Sequence, residues 1–184
     1  MPAGKSFHPG CWQGIAAGLG TVGKIYRRLH PITRARFNDR PFVVILGACG
    51  IGKSVTAAEL LEHTARTSGL VPLWVNVPEM FLKIRSTFGS HGDESEEKLI
   101  RSYSREELLC LDDLAAEKVS DYTVSTLYLI LNGRGEQDRR TIITSNLSLD
   151  GISNHLDDRI ASRLFRYGHV ITLTKPNVKP CEQS

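Results

Sequence analysis

Several groups of residues in this chain have the types and spacing for phosphate chemistry. Gly47-Ala48-Cys49-Gly50-Ile51-Gly52-Lys53-Ser54 is an uninterrupted G-x-x-x-x-G-K-S run, the pattern of a phosphate-binding P-loop. Glycines there let backbone N–H groups wrap an anion with no Cβ in the way. Lys53 can reach terminal phosphates as a point charge, and Ser54 offers a hydroxyl to Mg2+, which prefers oxygen ligands. Asp112 and Asp113 close the apolar run Leu108 to Leu111. Two adjacent acids repel unless a cation is near, so a Mg2+ site explains the pair; the plainer reading is a polar strand end. Asp112 would hold the ion through water, and Asp113 would orient the attacking water as general base. Asn146 follows the run Thr141 to Thr144 and could bond a γ-phosphate or the lytic water; otherwise it turns or caps the chain. Arg159 and Arg163 share a helix face, and their charged planar forks suit a γ-phosphate. The plainer reading of that face is solvated arginines pairing with Asp157 and Asp158.

The elements that must position these groups are legible in the hydrophobic rhythm. Pro41 to Leu46 is a short apolar run ending at the P-loop, as a buried strand should. Val55, Ala58, Leu61 and Ala65 then recur at helical spacing until Gly69. Leu73 to Val77 reads as a strand, Glu79 to Phe88 as a helix, Gly89 to Asp93 as a loop and Glu96 to Tyr103 as a charged helix. After the strand ending at Asp112, Ser120 caps a helix carrying Val124, Leu127, Tyr128 and Leu131, closed by Gly133. Thr141 to Thr144 is a strand, Asp157 to Tyr167 a helix stopped by Gly168, and Val170 to Leu173 the last strand. Fully apolar strands alternating with helices imply a parallel sheet between helical layers, whose ligands bind beyond the carboxyl ends of the strands.

The bulk properties narrow the class. With 184 residues the chain suits one well-cored domain. A net charge of +3 permits a nucleic-acid partner without demanding one. No apolar run reaches membrane-spanning length, and residues 1–20 lack an apolar signal core. The spacing of Cys11, Cys49, Cys110 and Cys181 matches no zinc pattern, so reduced cysteines and a cytoplasmic location are expected. Residues 1–40 read as a partly helical N-terminal extension, 41–175 as the ATPase domain and 176–184 as a flexible tail.

Taken together, GACGIGKS, VPEMFLKIRSTF, SEEKLIRSYSREELLCLDDL, TIITSNLSL and DDRIASRLF resemble the AAA+ ATPases of the DnaC/IstB type, over about residues 40 to 174. The resemblance implies an α/β P-loop NTPase three-layer sandwich, its five-stranded parallel sheet ordered 5-1-4-3-2, with no C-terminal lid domain. It implies ATP or ADP and Mg2+ as ligands, with Gly47, Cys49, Gly50, Ile51, Gly52, Lys53, Ser54 and Val55 around the nucleotide and Ser54 and Asp112 at the metal. Asp113 would then be a Walker B acid, Asn146 the first sensor, and Arg163 the arginine finger on a neighbouring subunit's ATP, with Arg159 a second candidate. Arg134 resembles another family arginine without a definite role.

The resemblance further implies a bacterial or phage-encoded homo-oligomer that hydrolyses ATP and acts in DNA replication as a loader of replicative helicase. A transposition helper serving a transposase, or a switch that binds ATP without useful turnover, are the alternatives. The Asp-Asp and Thr-Ser-Asn elements speak against a small-molecule kinase. In the family the segment between the second and third strands contributes to single-stranded DNA binding. Here it offers Lys83, Arg85, Lys98, Arg101 and Arg105, with Phe81, Phe88 and Tyr103 for packing or base stacking. Asp93, Glu94, Glu96 and Glu97 interrupt that basic surface, and a solvated helical face is the plainer reading.

Overall fold

Every residue of Phe42–Leu46, strand β1, is almost wholly buried, because apolar side chains leave both sides of this strand. The computed structural model describes residue 37 and residues 39–88 and 95–174. The expected N-terminal helix, the loop from Gly89 to Asp93 and the C-terminal tail lie outside these residues. After β1 come helix α1 (Lys53–Ser68), β2 (Pro72–Asn76), α2 (Val77–Ser86), α3 (Glu96–Arg105), β3 (Leu108–Leu114), α4 (Asp121–Glu136), β4 (Arg140–Ser145), α5 (Leu149–His155), α6 (Asp158–Tyr167) and β5 (Gly168–Thr172).

The strands form one sheet in the order β2-β3-β4-β1-β5, parallel throughout. Read from its other edge this is the expected 5-1-4-3-2 order. The two-residue period of the strands divides the core. Val43 and Ile45 join Ala57, Leu60 and Leu61 of α1 on one face. Phe42, Val44 and Leu46 face the larger layer, with Met80 and Phe81 of α2, Leu127 and Ile130 of α4, and Ile160 and Leu164 of α6. The result is the three-layer sandwich that the alternating pattern implied.

Some boundaries differ from the sequence reading. Val77 is not the end of β2 but the first residue of α2, whose N-cap Asn76 accepts from the Glu79 N–H. Gly133 does not close α4: the helix runs on to Glu136, and at Gly135 the Tyr167 ring packs where a Cβ would stand 2.3 Å away. Between β4 and α6 the structure adds the short helix α5, capped by Ser148, which the sequence reading does not include. Of the expected face, Ala58 and Leu61 are buried while Val55 and Ala65 are only half-buried; Thr56, Ala57, Leu60 and Thr64 complete the inward face of α1.

Arg134 has a definite structural role. It is fully buried, yet all its bonds go to neutral oxygens: Nε donates to Thr141 Oγ1, Nη1 to the Tyr103 and Glu106 carbonyls, and Nη2 to the Arg140 carbonyl. It ties the end of α3 to the start of β4, at the amino-terminal ends of the strands and so at the opposite end of the sheet from the P-loop. Burial pulls its pKa down to about 9, the charge of Glu106 partly opposing this, so it stays charged at neutral pH.

Candidate functional site

The candidate site lies at the carboxyl ends of β1, β3 and β4. The loop leaving β1 turns on residues with positive φ: 74° at Gly50 and 101° at Gly52, a region that side chains with a Cβ rarely enter. A Cβ on Gly47 would stand 2.7 Å from the Leu173 carbonyl. The loop delivers the chain into α1 with Gly52 as N-cap and no side-chain cap. Among the described residues the other helices are all capped by a side-chain oxygen, from Asn76, Ser95, Ser120, Ser148 and Asp157. The first N–H groups of α1 therefore have no internal acceptor, and no acidic residue sits in its first turn. Free donors at the positive end of a helix dipole suit an anion.

Lys53 begins α1 and is nearly buried. Its ammonium donates to the Ala48 carbonyl at 3.0 Å and to Asn146 Oδ1 at 2.6 Å. The P-loop lysine and the polar residue after β4 thus meet, although 93 positions separate them. Asp112 lies on β3, opposite Asn76 of β2. Its carboxyl is raised above the usual range by burial, while hydrogen bonds from Thr144 and Ser54 pull it back. The neighbouring Asp113 adds to the rise and Lys53 opposes it. Lys53 meets Asn146 and Ser54 bonds Asp112, so these four residues, with Asp113 next in the chain, lie in one cluster. The two acids lie inside β3 rather than beyond it, because a bulge between Leu111 and Leu114 carries them.

The arginines sit elsewhere. Arg159 is exposed and pairs with Asp157 at 2.9 Å, the local ion pair that the plainer sequence reading described. Arg163 reaches α4, donating from Nε to Asn132 Oδ1 at 2.7 Å and from Nη2 to Tyr128 Oη at 2.8 Å. Its guanidinium also lies 5.1 Å from the centre of the Tyr128 ring. Sequence reasoning missed Tyr128 and Asn132 as its holders; their i, i+4 spacing on α4 was the available signal.

The candidate DNA segment is mixed. Lys83, Arg85, Lys98 and Arg101 are exposed on α2 and α3. Arg101 pairs with Glu97 at 2.6 Å, and Arg85 Nε donates to the Phe81 carbonyl. Phe81 and Tyr103 are not available for base stacking: both are buried in the core, where the sheet face needs their rings. Phe88 remains exposed, edge-on to Tyr122 at 5.5 Å.

A family model described as IstB-like ATP binding protein matches residues 26–175. The chain belongs to this family. This IstB-like protein is similar to the replicative helicase loader DnaC of Buchnera aphidicola subsp. Baizongia pistaciae, at 28% identity over 131 residues, covering 71% of this chain and 52% of the relative. It is also similar, at 26% identity over 143 residues, to a Mycobacterium tuberculosis protein described as ATP-binding and within an insertion sequence, covering 75% and 55% of the two chains. The chain spans about half the length of these curated relatives. Its fold matches the DnaC helicase loader structure with a TM-score of 0.66 at 19% identity, covering 86% and 89% of the chains. It matches DnaI with a TM-score of 0.68 at 22% identity, covering 84% of each. Among the described residues of this IstB-like protein no helix is long and apolar enough to cross a membrane.

Proposed function

We propose that this IstB-like protein hydrolyses ATP and acts in DNA replication as a DnaC-like loader of replicative helicase, binding single-stranded DNA. The observation that carries the ATPase reading is the cluster of Lys53, Asn146, Ser54 and Asp112 beside an uncapped helix N-terminus. The positive-φ glycines and uncapped N–H groups fit a polyphosphate chain, with Gly47, Cys49, Gly50, Ile51, Gly52 and Val55 of the P-loop around it. Lys53 would bind the terminal phosphates, and Asn146 would hold the lysine and sense what it holds. Ser54 and Asp112 would hold Mg2+, which needs only one or two protein oxygens besides phosphate and water. When bound, that ion neutralises charge on the transferring phosphoryl group.

Asp113 is the candidate general base for the attacking water. Asp113→Asn should cut turnover at least about 100-fold with ATP affinity nearly unchanged. Unaltered turnover would favour an ATP-binding switch instead. Arg163, held by neutral partners on α4, is proposed as a finger completing a neighbour's site in a homo-oligomer, with Arg159 second because the charge of Asp157 already neutralises it. Arg163→Ala should then lower turnover about 1,000-fold, and mixing it with a P-loop-dead Lys53→Ala chain should restore part of it. A dilute monomer hydrolysing ATP as fast as a concentrated sample would sink the shared site.

Lys83, Arg85, Lys98 and Arg101, with Phe88, are the proposed single-strand contacts, their charges following the backbone. The relatives named helicase loaders support replication as the setting, and a cytoplasmic location with it. The second reading, a transposition helper for a transposase, is favoured by the relative within an insertion sequence. ATPase rate measured against protein concentration, with and without single-stranded DNA, tests the core proposal. Separate pull-downs with a replicative helicase and a transposase divide the two readings.

A further inference from the structure

Thr144 belongs to none of the roles above, yet its hydroxyl touches both acids. The register between β3 and β4 breaks after Leu111 and resumes with Leu114 opposite Ser145. Inside the break Asp113 takes φ 59°, a left-handed conformation. A bulged residue loses its place in the ladder, and the Asp113 N–H donates instead to Thr144 Oγ1 at 3.0 Å. The same hydroxyl donates its one proton to Asp112 Oδ1 at 2.6 Å. Thr144 is fully buried, so water cannot replace either bond. One oxygen therefore accepts from the backbone of one acid and donates to the carboxylate of the other. Serine could make both bonds; valine, with the same shape, could make neither. Ser145 closes the far side of the bulge, donating to the Leu114 carbonyl at 2.7 Å without touching the acids.

We propose that Thr144 is a positioning residue, whose single hydroxyl sets the Asp112 carboxylate and the Asp113 backbone for a Mg2+–nucleotide complex. This rests on the ATPase reading. Groups that orient a metal-holding carboxylate commonly matter nearly as much as the carboxylate itself.

The test measures ATP binding to the full chain by equilibrium dialysis, in Mg2+ and in EDTA, alongside turnover and thermal unfolding. Thr144→Val should lose about 10- to 100-fold in turnover and in the affinity gained from Mg2+, with affinity in EDTA within about twofold of the parent. Thr144→Ser should keep both. Ser145→Ala should lower stability and leave the Mg2+ response in place. The proposal is overturned if Thr144→Val keeps its Mg2+ response, if Thr144→Ser falls as far, or if Ser145→Ala loses the response equally. Thr144→Ala takes the place of the valine variant if that does not fold. A parent chain that binds no ATP would sink the ATPase reading itself, a different result from a parent that binds while Thr144→Val behaves like it.

Discussion

Replacing Arg134 by methionine should destabilise the fold by about 3 kcal/mol, lowering Tm by about 10 °C. Methionine fills similar space but donates nothing. It strands the Tyr103, Glu106 and Arg140 carbonyls and the Thr141 hydroxyl, which now share one guanidinium. Each buried acceptor left unmet costs about 1–3 kcal/mol, and relief from burying a charge offsets part of the sum. The Tyr103 carbonyl belongs to the last turn of α3, where carbonyls lack helical partners and a cation complements the dipole. This explains how a buried arginine is held chiefly by carbonyls. Arg134→Lys should recover less than half of the loss, because one ammonium cannot reproduce the fork. The expected signature is a shift in denaturant midpoint with ATP affinity unchanged below the transition. A midpoint within about 0.5 kcal/mol of the parent would refute the brace.

The second large effect is expected at Lys53. Lys53→Ala should weaken ATP binding about 100-fold or more, since a hydrogen bond to a charged group contributes about 1.5–3 kcal/mol and the ammonium would make at least two. The ammonium already sits in place, nearly buried and oriented by Ala48 and Asn146, so little ordering remains to oppose binding. The variant should fold: its loss leaves one carbonyl and one amide oxygen short of a donor, beside a face open to water. Titration of a fluorescent ATP analogue measures the change. Affinity within about threefold of the parent would mean that phosphates are held without this lysine.

How much was legible in the chain depends on how local each signal is. The P-loop was readable because its glycines serve their own backbone, a requirement confined to eight consecutive residues. The strands were readable because both faces of the sheet are covered, leaving continuous apolar runs. Phe81 and Tyr103 show the opposite case. An aromatic at helical spacing serves a core or a ligand equally well, and only the packed sheet placed both inside. Gly133 misled because glycine commonly ends a helix at positive φ, whereas here it lacks that conformation and α4 runs on to Glu136.

By itself, then, the sequence determined a phosphate-binding loop, a pair of acids and an alternating β/α core, and the family resemblance ordered the strands. The tertiary structure decided the partnerships. Thr144 meets Asp112 across 32 positions, Arg163 meets Asn132 across 31, and Arg134 meets the Tyr103 carbonyl across 31. Spacing constrains residues a turn apart on one helix or alternate residues on one strand. Contacts between neighbouring strands and layers depend on register, and here a one-bulge shift in β3 decides which hydroxyl meets which acid.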